Sequence, residues 1–203
     1  MLSKPKFKIC KRLGPGVYDK CQTAKFSIAS PKFSATSSNR RPKAVSEYGT
    51  QLIEKQKVRF SYGISERQLS NYVKKASHHV KGAGTADKFY EALESRLDNV
   101  IYRMGLGSSR RAARQMVAHG HFIVNNTKVT IPSYAVWPGD TIKVREGSKV
   151  KKIFDDLTQK MKEYNFPSWL SFDLDKMEGK ILEKPKNTET FLDLNAVLEF
   201  YSR

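Results

Sequence analysis

The chain has 203 residues, enough for one large domain or two small ones with modest cores. It carries 37 Lys and Arg against 20 Asp and Glu, a formal charge of +17 and a pI near 9.9; such an excess points to a polyanionic partner. The longest apolar runs fall well short of the ~20 residues that span a bilayer. Two cysteines make no disulfide framework, and a membrane-spanning chain is not expected.

Charge falls along the chain. Residues 1–48 hold 11 basic and 2 acidic groups (+9), and residues 49–90 hold 8 and 3 (+5). Residues 91–150 hold 9 and 5 (+4), whereas residues 151–203 hold 9 and 10 (−1). The first three quarters are expected to face the polyanion, and the last quarter to cover another part of the protein. The opening MLSKPKFKICKRLG lacks the continuous apolar segment of a secretory signal, and a cytosolic protein is expected.

Residues 1–45 read as a basic, irregular arm. Pro5, Gly14, Pro15 and Gly16 interrupt any long helix, and Ser27–Lys43 has too little apolar content for a core of its own. Its lysines and arginines are expected to order on phosphate. Helical signals begin near Ser46. Tyr48–Gly63 combines good helix formers with Lys55, Lys57 and Arg59. Ser65-Glu66-Arg67-Gln68 is a capping box, and Leu69, Tyr72, Val73 and Ala76 follow as one buried stripe. Lys74, Lys75 and His78 keep this helix basic. A further helix is predicted from about Thr85, with Phe89, Leu93, Leu97, Val100, Ile101 and Met104 as its apolar face and Gly105 and Gly107 as its stop.

The next helix carries the chemistry. Ser108 or Ser109 caps it, and Ala112, Ala113, Met116 and Val117 form an inward stripe. Arg110, Arg111 and Arg114, with Gln115, crowd the other side with no nearby acid to pair with. Three guanidiniums so close repel one another, an arrangement suited to an anionic partner. After Gly120 the period changes to two. His121–Val124 leads into Asn125-Asn126, a pair that tolerates the positive φ of a hairpin turn, and Lys128, Val129 and Ile131 continue beyond it. Trp137-Pro138-Gly139-Asp140 makes a second turn before Thr141–Val144. In the tail a helix near Asp155–Tyr164, a linker and a final helix near Leu194–Phe200 are predicted.

Together LESRLDNVIYRMG, SRRAARQMVAHGH and VTIPSY…PGD resemble the family of bacterial-type small-subunit ribosomal protein four. YGTQLIEKQKVRFSYGISERQ and the ending LEFYSR match it as well, so the likeness covers about residues 46–203 in order. Beyond the arm 1–45 it implies a two-part α+β protein: a mostly helical domain 46–92 completed by the tail 151–203, and a small two-helix, short-strand RNA-binding module over 93–150. That module is shared with some pseudouridine synthases and tyrosyl-tRNA synthetases. The resemblance further implies a primary binder of small-subunit ribosomal RNA, seated on a junction of the 5′ domain early in assembly. In the particle such a protein lies beside the messenger-RNA entrance near ribosomal protein five, where it influences accuracy. Relatives with four cysteines in the arm bind zinc there; this chain has only Cys10 and Cys21, so no metal site and no cofactor are expected. The relatives' Pro-Gly-Gln-His-Gly segment is missing, and Asn126 stands where they usually have glycine.

Folded RNA offers phosphates, 2′-hydroxyls and shape. The residues expected to meet it are Arg110, Arg111, Arg114 and Gln115, with His119, His121, Lys128, Ser133 and Tyr134 around them. Lys55, Lys57, Arg59, Arg67, Lys74 and Lys75 form a second patch, and Arg103 is a weaker candidate. Tyr134 could instead pack inside the module, and His119 could simply end its helix. Arg96 and Asp98 could bridge helices, with Asp98 structural. No nucleophile–base pair, phosphate-cradling glycine loop or metal spacing is present, so no enzyme is expected. The alternatives are a stand-alone RNA-binding factor and an RNA-modifying enzyme built on the same module.

Overall fold

The computed structural model describes residues 6–24, 26, 46–79, 84–151, 154, 164–174, 176–186 and 191–203. They form an α+β protein, the class the sequence predicts. It divides into two compact units, one from the described residues of Met1–Val73 with Glu189–Arg203, the other from those of Lys74–Thr188.

In the first unit, α1 (Lys6–Leu13) precedes two 3-10 turns, Pro15–Val17 and Asp19–Gln22. Ile9, Cys10, Leu13, Val17, Cys21 and Phe26 make a small core, with Ile53, Phe60 and Phe191 packed on it. A disulfide joins Cys10 to Cys21 within that core. A Cβ on Gly16 would lie 2.8 Å from the Phe191 ring, so only glycine admits this approach. Residues 6–24 are therefore folded, which corrects the irregular arm expected there. Their apolar positions find partners far away in sequence, and local period could not show them. The ordering of Ser27–Lys43 on phosphate falls outside the described residues.

The helix α2 (Glu47–Ser61) lies within one residue of its predicted start, and Ser46 caps it by accepting the Gly49 amide. The capping box forms ahead of α3 (Glu66–His79): the Gln68 amide donates to Ser65 Oγ, and the Ser65 amide to Gln68 Oε1, both at 3.2 Å. Further on the tail contributes a helix Leu194–Ser202 that packs against α2, with Asp193 as its cap. Between them Lys55 Nζ sits 2.9 Å from Glu66 Oε1 and 4.2 Å from the centre of the Phe200 ring. The Tyr201 hydroxyl donates to the same Glu66 oxygen at 2.6 Å.

The second unit takes in the end of α3 from Lys74 and continues with α4 (Thr85–Glu94) and α5 (Leu97–Arg103). The single helix expected here is two. All six predicted apolar positions are buried, but Arg96 is extended (φ −71°, ψ 135°) and pairs as an isolated bridge with Ala135. The Leu97 amide donates to Tyr134 O, the Asp98 amide to Pro132 O and the Val136 amide to Ser95 O. These partners lie some 40 residues downstream (e.g. residue 95 with 136), beyond the view of a periodicity argument.

Next come α6 (Arg110–Ala118), β1 (Phe122–Val124), β2 (Thr127–Lys128), β3 (Thr141–Val144), the single turn α7 (Glu146–Lys149), β4 (Leu170–Asp173) and β5 (Glu178–Ile181). In the tail helix Leu194–Ser202, now α8, the predicted span is reproduced. The strands make one antiparallel sheet in the order β2-β1-β3-β5-β4, with Ile142 opposite Val124 on one side and Gly179 on the other. Where a linker is predicted the structure has β4 and β5, so this stretch of the tail pairs with β3 instead of returning to the helical part. The helix predicted near Asp155–Tyr164 falls almost wholly outside the described residues. The core of the unit runs from Leu97, Val100 and Ile101 through Val117 and Phe122 to Leu170 and Ile181.

The β1–β2 turn places Asn125 at φ 48° and Asn126 at φ 68°. Asn125 Nδ2 donates to Asp140 at 2.7 Å, and its Oδ1 accepts the Thr141 amide at 2.9 Å. Asn126→Gly is therefore expected to stabilise by up to ~1 kcal/mol through relief of the backbone. Asn125→Gly loses both hydrogen bonds and is expected to destabilise by about 1–2 kcal/mol; urea unfolding of the two variants measures the contrast. In the first unit, burial raises the Glu66 carboxyl, but hydrogen bonds from Tyr201 and Lys55 and the charges of Lys55 and Arg59 outweigh it. They hold it below the ordinary value of 4.5. A carboxyl depressed on folding contributes stability that is complete above its unfolded value and lost as pH falls through its folded one. Glu66→Gln is expected to flatten the fall of stability below about pH 4.5, followed as urea midpoint against pH.

Candidate nucleic-acid interface

Position and polarity set the problem at α6. Ser109 is its cap, accepting the Ala112 amide at 3.3 Å, and Ala113, Met116 and Val117 turn inward. Arg110 and Arg111 then occupy the first turn, where the unpaired amides of the helix already make a positive end. Cations there need anions.

Two anions are supplied from the preceding helices. Glu94, at the end of α4, has a fully buried side chain and accepts Arg103 Nε and one terminal nitrogen, each at 2.9 Å, with Arg110 4.0 Å away. Asp98, in α5, is buried and accepts two bonds from Arg96 (3.0 and 2.8 Å). It also accepts Arg114 Nε at 2.8 Å, with a terminal nitrogen at 2.7 Å. Arg110 Nε donates to Asn99 Oδ1 at 2.7 Å, its guanidinium lies 4.6 Å from the Tyr102 ring centre, and Asn99 donates to the Glu94 carbonyl. The absence of a nearby acid expected for these arginines is thus corrected. The acids arrive from other helices, each 16 residues upstream of the α6 arginine it faces.

Four arginines (Arg96, Arg103, Arg110, Arg114) meet two carboxylates here and Arg111 stands beside them, which leaves a positive surplus among the described residues. Asp98 is structural, as expected, and Arg103 is bound to Glu94. Arg111 and Gln115 are exposed and have no side-chain partner among the described residues. His119 is exposed and ends α6 as its C-cap. Lys128 is exposed and lies over the turn after α6, where a Cβ on Gly120 would come within 2.5 Å of its Cε. Ser133 and Tyr134 are exposed in the loop ahead of Ala135, so Tyr134 is not a core residue.

His121 and Lys55 are corrections. His121 is buried, with Nδ1 2.9 Å from Ser148 Oγ and its ring edge-on to Phe154 at 6.3 Å. Burial, together with Lys151, His119 and Arg145, holds its imidazole below the ordinary histidine value. It therefore lies beneath the surface, while Arg145 and Lys151, both exposed, present the charge that local reading credited to it. The signal for Arg145 was its place at the end of β3, where its amide bonds the His121 carbonyl at 2.8 Å. Lys55 is buried on Glu66 and Phe200. Lys57 pairs with Glu54 at 2.6 Å, and Arg59 donates to Gln56 at 3.3 Å. Arg67 in the first unit and Lys74 and Lys75 in the second are exposed.

Among the described residues no helix is long and apolar enough to cross a membrane. The arginine-faced helix capped at Ser109, with β1 and β2 after it, lies within a stretch that matches a domain family and so places the chain in a class, that of proteins carrying an S4 domain. Residues 95–142 match the family described as S4 domain, and residues 1–94 match that described as Ribosomal protein S4/S9 N-terminal domain. Over 202 residues the chain is 43% identical to small ribosomal subunit protein uS4A of Alkaliphilus oremlandii (strain OhILAs), covering 97% of this chain and 96% of that one. It is 40% identical to small ribosomal subunit protein uS4 of Thermotoga maritima, covering 98% and 97%. Against uS4 of Acetivibrio thermocellus the identity is 43%, covering 97% and 96%. The chain belongs to the uS4 family of ribosomal proteins, the family its motifs resemble, and it is not an enzyme.

Removing Asp98 should expose what it does. Asp98→Ala leaves the buried Arg96 uncompensated beside Arg114, and a loss of about 3–5 kcal/mol in urea unfolding is expected. Arg111→Ala, at an exposed position, is expected to change stability by no more than about 0.5 kcal/mol. Equal losses for the two would show that the carboxylate does not hold the arginine face.

Proposed function

We propose that the chain is a structural component of the small ribosomal subunit, bound to its ribosomal RNA through the arginine face of α6. The observation that carries this reading is the surplus of five arginines over two buried carboxylates where α5 and the start of α6 meet, a field that a phosphate backbone neutralises. Likeness to uS4 proteins over nearly the whole chain supports it. In this reading Arg110 and Arg114 are oriented contacts, Arg111, Gln115, His119, Lys128, Ser133 and Tyr134 surround them, and Arg145 and Lys151 join them at the far end of α6. Arg67, Lys74 and Lys75 add contacts elsewhere, with Lys57, Arg59 and Arg103 secondary.

The resemblance supports a finer reading. The protein would be a primary binder of the 5′-domain junction that nucleates assembly. It would work in the cytoplasmic ribosome beside the messenger-RNA entrance and ribosomal protein five, where the geometry of the entrance bears on accuracy. A face of fixed guanidiniums suits an early binder, since little side-chain freedom remains to be lost when the RNA arrives.

Equilibrium binding to the 5′ domain of small-subunit ribosomal RNA, with Mg²⁺ and excess transfer RNA, tests this. Tight binding that survives the competitor is expected. Arg111→Ala with Lys128→Ala is expected to make the log–log salt dependence shallower by about 1.4–1.8, the share of two phosphate contacts. Displacement by transfer RNA would favour a stand-alone RNA-binding factor instead.

A further inference from the structure

A cleft of about 410 Å³ opens in the first unit along α1 and α2. Lys8 and Arg12 from α1 and Gln56 and Arg59 from α2 give it polar edges, while Leu52 and Phe60 belong to its apolar lining. No Asp or Glu among the described residues lines it. Arg59 keeps its Nε buried, with no acceptor among the described residues. The nearest carboxylate oxygen, on Glu66, is 4.0 Å away, and that carboxylate already accepts from Lys55 and Tyr201. A half-apolar cleft of this size, lined by three cations, one of them a guanidinium with an unfilled donor, asks for a flat, partly apolar, anionic group.

We propose that this cleft takes a single unstacked nucleotide of RNA, its base against Leu52 and Phe60 and its phosphate at Lys8 and Arg12. The proposal rests on the RNA-binding reading above and adds a base-accepting site to it. Single-stranded bases splayed from folded RNA are held in this way, by an aromatic or apolar wall and a guanidinium, with basic side chains on the backbone. Charge argues against the two basic segments that flank the N-terminal part as occupants: residues 1–5 and 27–45 contain Lys4, Lys32, Arg40, Arg41 and Lys43 and no acid, so they and the cleft carry charge of the same sign.

The test uses the full chain bound to the 5′-domain fragment of small-subunit ribosomal RNA, irradiated with ultraviolet light and digested to peptides. The wild-type protein is expected to carry a one-nucleotide adduct on the peptide containing Phe60 or on α1. Leu52→Trp fills the cleft without changing charge and is expected to abolish that adduct and weaken binding by about tenfold, with thermal unfolding unaltered. Lys8→Ala with Arg12→Ala, at exposed positions, is expected to reduce the adduct whether or not the tryptophan variant folds. A tight complex whose adducts fall only within residues 74–188, or Leu52→Trp binding and crosslinking like wild type, would overturn the cleft and leave the RNA-binding reading standing. Failure of the wild-type chain to form the complex would overturn both.

Discussion

Everything on the arginine-rich side of the second unit depends on two carboxylates buried under it. The first turn of α6 is a positive helix end that also carries Arg110 and Arg111, with Arg114 one turn on. Left alone, such an end repels its own side chains and frays. Asp98 and Glu94 reach it from α5 and α4, and each holds a pair of guanidiniums. Ion pairs this deep return little net stability, because the cost of taking both charges out of water offsets their attraction. Their effect is geometric: they fix where the guanidiniums lie, and the surplus charge stays at the surface.

The first unit treats its cations differently. Lys55, at the centre of α2, is drawn inward, where Glu66 supplies the counter-charge and Phe200 the aromatic face. That lysine, with Tyr201 on the same carboxylate, ties the C-terminal helix to α2 and α3. A strongly basic composition therefore serves two purposes within one chain. Some cations lock helices together around a shared acid, and others remain outward for a partner. Only long-range contacts sort the two groups.

That division sets how much was legible in the sequence. The Ser65–Gln68 box, the Ser109 cap and the Asn125-Asn126 turn were readable because each is settled by residues within a few positions of one another. The outward arginines of α6 were readable from their angle to Ala113, Met116 and Val117. Burial of Lys55 was also within reach: Gln51, Lys55, Val58 and Tyr62 recur at helical spacing and are all buried, so the lysine stands on an inward stripe. Its charge drew attention away from its position. Burial of His121 was not within reach, since Ser148 and Phe154, which cover it, follow 27 and 33 residues later. Nor was the break at Arg96, which exists because residues 132–136 lie against it.

The tail strands show the same limit with a structural consequence. The S4-domain match ends at residue 142, inside β3. One edge of β3 is taken by β1, and the other is covered by β5, with Thr141, Ile142 and Lys143 opposite Lys180, Gly179 and Glu178. A Lys143–Glu178 ion pair at 3.1 Å spans that junction, and Lys184 reaches back to Glu91 of α4 at 3.0 Å. Without the tail, β3 would present an open strand edge and Ile142 and Val144 would lose part of their cover. Described charges of the last quarter find partners within the protein, Glu178 on Lys143, Lys184 on Glu91 and Arg203 on Glu47, whereas the arginines of α6 keep an excess over the carboxylates among the described residues.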